Sequence, residues 1–252
     1  MKKIILDTTF NIPIRIDSPE RLRNLEITTK FLTKYFYANI LIGEDSKEPK
    51  VKKYSNRYGY IYYKNNTDVF HRTKILNDLA RASSSTFIVN FDADILIPPT
   101  QMLKAIELIR KGNVDMVLPY GGMARNIIDK KVSFIGNNLN LSSLKKDDTY
   151  EMNANALGGA VIWSKKSFIK FGMENENFIN WGYEDNERMI RAKKLGLKIL
   201  RVPGPLYHLD HHRSDNDNFG QKYAKHNMDE LHKIEKMGKY EIESYIKTWG
   251  WV

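Results

Sequence analysis

The sequence predicts an α/β protein with a mostly parallel central sheet flanked by helices. Three observations lead there. Short apolar runs of strand length alternate with helical periodicity over the first half of the chain. With 252 residues, 42% of them hydrophobic, the chain is long enough to bury a substantial core. No apolar stretch approaches the ~20 residues that span a bilayer.

The first strand is "KKIILDTTF" and the second "ANILIGED". Between them Ser18 as N-cap and Pro19 at the first position predict a helix over 18–35, with Leu22, Leu25, Thr29 and Leu32 on one face. "YGYIYYK" is a third strand, 68–81 a helix with Ile75, Leu76 and Leu79 inward, and "TFIVNFDAD" a fourth strand. A helix over 100–111 and the strand "DMVLPY" follow. The polar, lysine-rich stretch 121–150 reads as loop with a hairpin at 132–134. Next come the strand "GGAVIWS", a helix over 165–171, a loop over 173–183 and a helix over 184–195. "KILRVPG" and "LYHLDHH" read as the last strands, and a helix from 219 carries Tyr223, Leu231, Ile234 and Met237 on one face. No repeat, low-complexity tract or linker divides the chain, so one domain over 1–252 is expected.

Forty Lys and Arg against 30 Asp and Glu give a formal charge of +10. That excess suits an anionic partner such as a nucleotide, or simply a solvated basic face. The basic residues form no dense tail, so no nucleic-acid partner is expected. The absence of cysteine removes disulfides, thiolate metal sites and cysteine nucleophiles, and fits a reducing, cytoplasmic setting. "MKKIILDTTF" has no long apolar region or small-residue cleavage site, so no signal peptide is expected. The tripeptides at Asn65 and Asn140 that match the glycosylation pattern then read as chance. Trp249 and Trp251, near lysines, read as cover for the helix beneath them, with peripheral contact at a lipid surface as the alternative use.

"NFDADILIPP" sets Asp92 and Asp94 one residue apart at the end of an apolar run. Ligands of open α/β sheets bind beyond such strand ends. On an extended backbone residues i and i+2 point to one face, so both carboxylates reach one object. A divalent cation relieves their repulsion, and oxygen ligands suit Mg²⁺ or Mn²⁺. The bland alternative is an Asx turn or a cap of the following helix.

Further motifs follow one another in order: "IPIRID" at 12–17, "FHRTKILN" at 70–77, "FDAD", "LGGAVIWSKKSF", "NWGYEDNE" and "YHLDHHRSDNDN". With these the chain resembles metal-dependent glycosyltransferases of the GT-A fold, in particular the β-1,4-galactosyltransferase group and its N-acetylgalactosaminyl relatives. The resemblance implies a single Rossmann-like GT-A domain: a nucleotide-binding half over 1–118, a donor, acceptor and catalytic part over 119–218, and a helical segment over 219–252. It sets Pro13, Arg15, Asp17, Asp45, Phe70, Arg72, Asp92, Ala93, Gly158, Gly159 and Trp181 around the sugar nucleotide. Arginine's planar fork of donors suits diphosphate oxygens, and a glycine pair lets backbone approach a ligand. By resemblance Asp185 is the general base, Glu184 holds the acceptor, and Asp94 binds Mn²⁺ or Mg²⁺ with a late histidine, His208 first and His211 as the alternate. Extended spacing puts His208 and His212 on one face and His211 on the other.

The activity so implied is inverting transfer of Gal, GalNAc or GlcNAc from a UDP-sugar to a saccharide or glycolipid acceptor. Animal members carry a tyrosine where this chain has Ala156, which suggests room for an N-acetylhexosamine. They also place a ligating methionine upstream of the histidine, and Leu206 and Tyr207 offer no such sulfur. The rival classes are a sugar nucleotidyltransferase, whose basic glycine-rich phosphate loop "DTTFNIPIRID" lacks, and a non-catalytic nucleotide- or carbohydrate-binding protein.

Overall fold

The computed structural model describes residues 2–212 and 222–252. Its elements are β1 (Lys3–Ile14), α1 (Pro19–Tyr35), β2 (Phe36–Ser46), β3 (Gly59–Lys64), α2 (Arg72–Ala82), β4 (Phe87–Phe91) and β5 (Ile95–Leu96). There follow α3 (Pro99–Arg110), β6 (Met116–Leu118), β7 (Ala124–Ile127), α4 (Asp129–Asn138), β8 (Thr149–Asn153), β9 (Ala160–Ser164), α5 (Lys165–Lys170) and α6 (Glu184–Lys194). β10 (Ile199–Arg201), β11 (Leu206–Leu209), α7 (Ala224–Lys236) and α8 (Lys239–Ile246) complete the chain.

The main sheet has seven strands in the order β10-β6-β9-β4-β1-β2-β3. β1 pairs in parallel with β2 and β4, and β2 with β3. β1 is buried along its second half, where Phe10, Ile12 and Ile14 of the core alternate with the buried polar Thr9 and Asn11. The exception to the parallel expectation is β9, which runs antiparallel to both β4 and β6. Its reversed direction carries the chain from the Gly158–Gly159 turn back across the sheet beside β4.

A second sheet of four strands, β5-β11-β7-β8, stands at the end of β4. "LYHLDHH" supplies a strand as expected, β11, and it lies in this sheet. The expectation that 121–150 is loop is corrected. Residues 124–127 form β7, and 129–138 form α4, which buries Val132 and Ile135 against Ile27 and Phe31 of α1. The hairpin expected at 132–134 is therefore helix, with Phe134 exposed.

Local signals explain most boundaries. The Ser18 side chain accepts the amide of Arg21, and Pro19 fills the first turn of α1, where its missing N–H costs nothing. The second helix starts at Arg72, four residues later than expected: the Val69 carbonyl accepts from Arg15 and Asn65, and the Phe70 amide donates to the Asn180 side chain, so their backbone groups are engaged outside the helix. At the other end of the chain the helix expected from 219 is the pair α7 and α8, and Phe219 and Arg213 lie outside the described residues. Trp249 is buried with Ile234, Ile242 and Ile246, and Trp251 packs against the same cluster, so these rings cover helices as expected. No described helix is long and apolar enough to cross a membrane.

One buried ion pair fixes α6 to its surroundings. Arg191 donates to Glu187 at 2.6 Å and to the carbonyls of Phe171 and Met173, with its guanidinium 3.7 Å from the Phe171 ring centroid. Replacing Arg191 with Leu leaves Glu187 buried without its partner, and a loss of about 3–5 kcal/mol is expected in urea unfolding. The double change Arg191→Leu with Glu187→Leu should lose clearly less. A single variant as stable as the wild type would refute the pairing as a support of the fold.

Candidate active site

β4 ends at Phe91 and β5 starts at Ile95, so Asp92, Ala93 and Asp94 form the turn between them. The two carboxylates are consequently not on one continuous strand, and they part company. Arg72, at the start of α2, donates to Asp92 Oδ1 at 2.5 Å. Asp94 turns to the second sheet, where β11 pairs with β5 so that His208 lies opposite Ile95. There His208 Nε2 is 3.8 Å from Asp94 Oδ1 and His211 Nε2 is 3.1 Å from Asp94 Oδ2.

These three side chains can each offer one ligand atom within 4.8 Å of the others. Both imidazoles are oriented for it. His208 Nδ1 is 2.7 Å from Asn126 Oδ1, and His211 Nδ1 is 2.8 Å from the His212 carbonyl. Both acceptors call for a proton on Nδ1, so each ring presents Nε2 to Asp94. The strand ends at Leu209, which is why His211 joins His208 here and His212 does not, against the alternation expected for an extended run.

The opposite wall comes from α6. Tyr183 sits at its N-terminus in the left-handed region with φ 71°, and Glu184 and Asp185 open the first turn, where the helix dipole favours acids. Glu184 is buried and accepts from the Gly182 amide at 2.9 Å. Asp185 accepts from Arg188, whose guanidinium also meets the buried Glu174 at 3.3 Å. Glu174 in turn accepts from Asn90 of β4, so the base of this wall is tied to the central sheet.

The Gly158–Gly159 turn closes the third side. A Cβ on Gly158 would lie 2.0 Å from Asp185 Oδ2, and Gly159 has φ 83° with Leu206 2.6 Å from where its Cβ would be. Both glycines are thus required, the first by a carboxylate and the second by backbone conformation and packing. Tyr120 donates to the Gly158 carbonyl at 2.5 Å and holds the turn from below.

Together these walls bound a cleft of about 710 Å³. Pro13, Arg15, Asp17, Phe70, Arg72, Asp92, Ala93, Asp94, Gly158, Gly159, Trp181, Glu184, Asp185, His208 and His211 all line it. Asp45 does not. It lies buried in β2 and accepts from Arg15 at 3.1 Å, holding that side chain from behind. Arg21, Arg188, Glu174 and Asn126 escaped the sequence reading. Arg21 had a signal, the first turn of a capped helix four residues from Asp17, and Arg188 another, three residues from Asp185 on one helix face. Glu174 and Asn126 had none.

Charge explains the titration of the acids. Burial would raise the pKa of Asp94, but His208, His211 and Arg21 outweigh it and hold the carboxyl below its usual range. His211 is raised in return, its bond to Asp94 overcoming burial. Burial also opposes ionisation of Asp185, yet Arg188 and Arg72 keep it below the ordinary value, so it stays a carboxylate. Asp92 is raised by burial and by its acidic neighbours despite Arg72. Glu184 is pushed up to about 7 by burial and then by the charge of Asp185.

Residues 141–213 match the model of a family described as the N-terminal domain of galactosyltransferase. No curated protein matches the chain in sequence. Among solved structures it is similar to the catalytic domain of Drosophila beta1,4galactosyltransferase 7 complexed with xylobiose, at 16% identity and TM-score 0.47. A mutant of that enzyme with manganese, UDP-Gal and xylobiose gives 16% and 0.48. In both cases 80% of this chain and 65% of the other are covered, so the chain spans less than two thirds of those proteins. GalNAc-T7 with UDP, GalNAc and Mn²⁺ matches at 12% identity and TM-score 0.63, over 96% of this chain and 50% of that one. The fold is GT-A.

Glu184 makes stability depend on pH with a defined sign. The unfolded carboxyl ionises near 4.5 and the folded one near 7, so the native state holds the extra proton between them. Its contribution is complete below 4.5 and declines as pH rises to about 7. Urea unfolding of the wild type and Glu184→Gln across that window should show a difference that shifts against the wild type with rising pH. A constant difference would contradict the assignment.

Proposed function

We propose that this chain is a metal-dependent, inverting glycosyltransferase that moves a hexose or N-acetylhexosamine from a UDP-sugar to a saccharide or lipid-linked acceptor hydroxyl. The observation that carries the reading is one cleft with two chemistries. Asp94, His208 and His211 offer a ligand set at one wall, and Asp185, an ionised carboxylate, stands at another.

The donor set fits a divalent ion. One carboxylate with two imidazoles suits Mn²⁺ better than Mg²⁺, which prefers an all-oxygen shell. The ion, when bound, supplies charge that stabilises a departing diphosphate. Arg15, Arg21 and Arg72 line the same cleft and present guanidinium groups suited to phosphate oxygens. That GalNAc-T7 binds UDP, GalNAc and Mn²⁺ agrees with this reading.

Asp185 is the proposed base. Its Oδ1 is held by Arg188, while Oδ2 faces the Gly158 turn, where only hydrogen leaves room. The acceptor hydroxyl gives its proton to Asp185 as its oxygen bonds to the anomeric carbon, and the bond from that carbon to the diphosphate oxygen breaks with the electron pair leaving on UDP. No side chain need bond to the sugar, so configuration inverts. Trp181 at the rim offers a face on which an acceptor ring can stack. Ala156 lines the cleft beside Gly158, and its small side chain favours a donor carrying an N-acetyl group.

UDP binding measured by calorimetry should require Mn²⁺, and Asp185→Asn should lose sugar transfer while keeping that binding. Metal-independent UDP binding, or full transfer by the variant, would overturn the reading. For the donor, turnover of UDP-GalNAc should exceed that of UDP-Gal, and a strong preference for UDP-Gal would retire the N-acetyl assignment alone.

A further inference from the structure

Arg21 belongs to none of the motifs, yet it touches the centre of the proposed metal site. The inference drawn from it rests on the divalent-ion reading above. Ser18 caps α1 by accepting the Arg21 amide at 3.3 Å, which sets the residue in the first turn at the rim of the cleft. From there Arg21 Nη1 donates to Asp94 Oδ2 at 2.9 Å, and its Nε lies 3.8 Å from Asp17 Oδ1. The same Asp94 oxygen is 3.1 Å from His211 Nε2.

The other two arginines of the cleft are committed to acids outside the ligand trio. Arg15 pairs with Asp45 and also donates to the Val69 carbonyl. Arg72 pairs with Asp92 and faces Glu184 at 3.8 Å. Arg21 alone of these three is paired with a residue of the trio. A buried carboxylate needs a compensating charge whether or not an ion is bound. Without an ion, Arg21 supplies it together with the two histidines. A divalent ion on Asp94 would bring two positive groups onto one small carboxylate, and the doubly charged one binds it more strongly. A displaced Arg21 has Asp17 beside it and stays in the cleft, where its planar donors suit a phosphate oxygen.

We propose that Arg21 is the counter-cation of the ion-free site: it competes with the divalent ion for Asp94 and, once displaced, binds the donor's diphosphate. Metal and nucleotide are then coupled through one side chain. The nucleotide draws Arg21 away from Asp94 and eases metal binding, and by reciprocity the metal eases nucleotide binding.

The test measures Mn²⁺ binding to the full chain by electron paramagnetic resonance, without nucleotide. Wild-type binding that is lost in His211→Ala establishes the metal site, and its absence in the wild type would defeat the functional reading itself. Given that site, Arg21→Gln should bind Mn²⁺ several-fold more tightly than the wild type, while its affinity for UDP at saturating Mn²⁺ falls. Arg21→Lys, which keeps the charge, should stay nearer the wild type in both, with thermal melts reporting that each variant is folded. If Arg21 merely supports Asp94 from outside the coordination shell, its loss should instead weaken Mn²⁺ by about 10–100-fold. That result, or unchanged Mn²⁺ affinity in Arg21→Gln, would overturn the proposal.

Discussion

The repulsion among carboxylates gathered at one cleft is the constraint to which the rest of this structure answers. Asp92, Asp94, Glu184 and Asp185 all line the same space, and two of them, Asp92 and Glu184, are raised by burial and by their neighbours' charge. Such a cluster folds only if each acid finds a cation or keeps a proton. The chain uses both devices. Arg72 and Arg188 stand under Asp92 and Asp185, Arg21 and two imidazoles meet Asp94, and Glu184, with an arginine no nearer than 3.8 Å, has its pKa raised. The buried arginines are therefore part of the fold's support as well as of the site. Arg188 shows this most directly, since it joins Asp185 at the surface of the cleft to Glu174 beneath it.

The same demand explains the glycines. Gly158 has an ordinary φ, and its need for hydrogen comes from the Asp185 carboxylate, which occupies the space a side chain would take. A base pressed this close to a backbone turn is held on one oxygen by Arg188 and bounded on the other by main chain. Its rotation is limited before any substrate arrives. That kind of preorganisation is what a general base requires, because a proton must be taken at hydrogen-bond distance and in a fixed direction.

Much of the fold could be read from the residues because it is encoded locally. The Ser18-Pro19 cap, the apolar strands of the first half and the acidic start of α6 each announce themselves within a few positions. What escaped was encoded by partners far away. The direction of β9 leaves no trace in "GGAVIWS", since an apolar run looks the same read against its neighbours or with them. In 121–150 a lysine-rich face masked Val132 and Ile135, whose spacing of three is helical but sparse. The site divides the same way. Asp94, Glu184 and Asp185 stood in motifs, whereas the acidic partner of Arg21 is 73 residues distant and the carboxylate of Glu174 meets Asn90 across 84.

The pairing of β5 with β11 turns these local elements into a site. β5 contributes two residues, too few to stand as a strand unless something fixes them. They are held by the antiparallel register that sets His208 opposite Ile95, by Tyr207 opposite Leu96, and by the Leu209 amide donating to the Asp94 carbonyl at 2.7 Å. Asp94 is thus clamped through its main chain to the strand that carries the histidines, and its side chain has little choice but to meet them. A one-residue slip of β11 would turn His208 to the other face of its sheet and dissolve the trio. The second sheet is small, with Ile95, Ala124 and Leu206 reaching into the main core, yet its register sets the geometry of the candidate metal ligands. The seven-stranded sheet beneath it mainly supplies a rigid edge from which Asp94 can be presented.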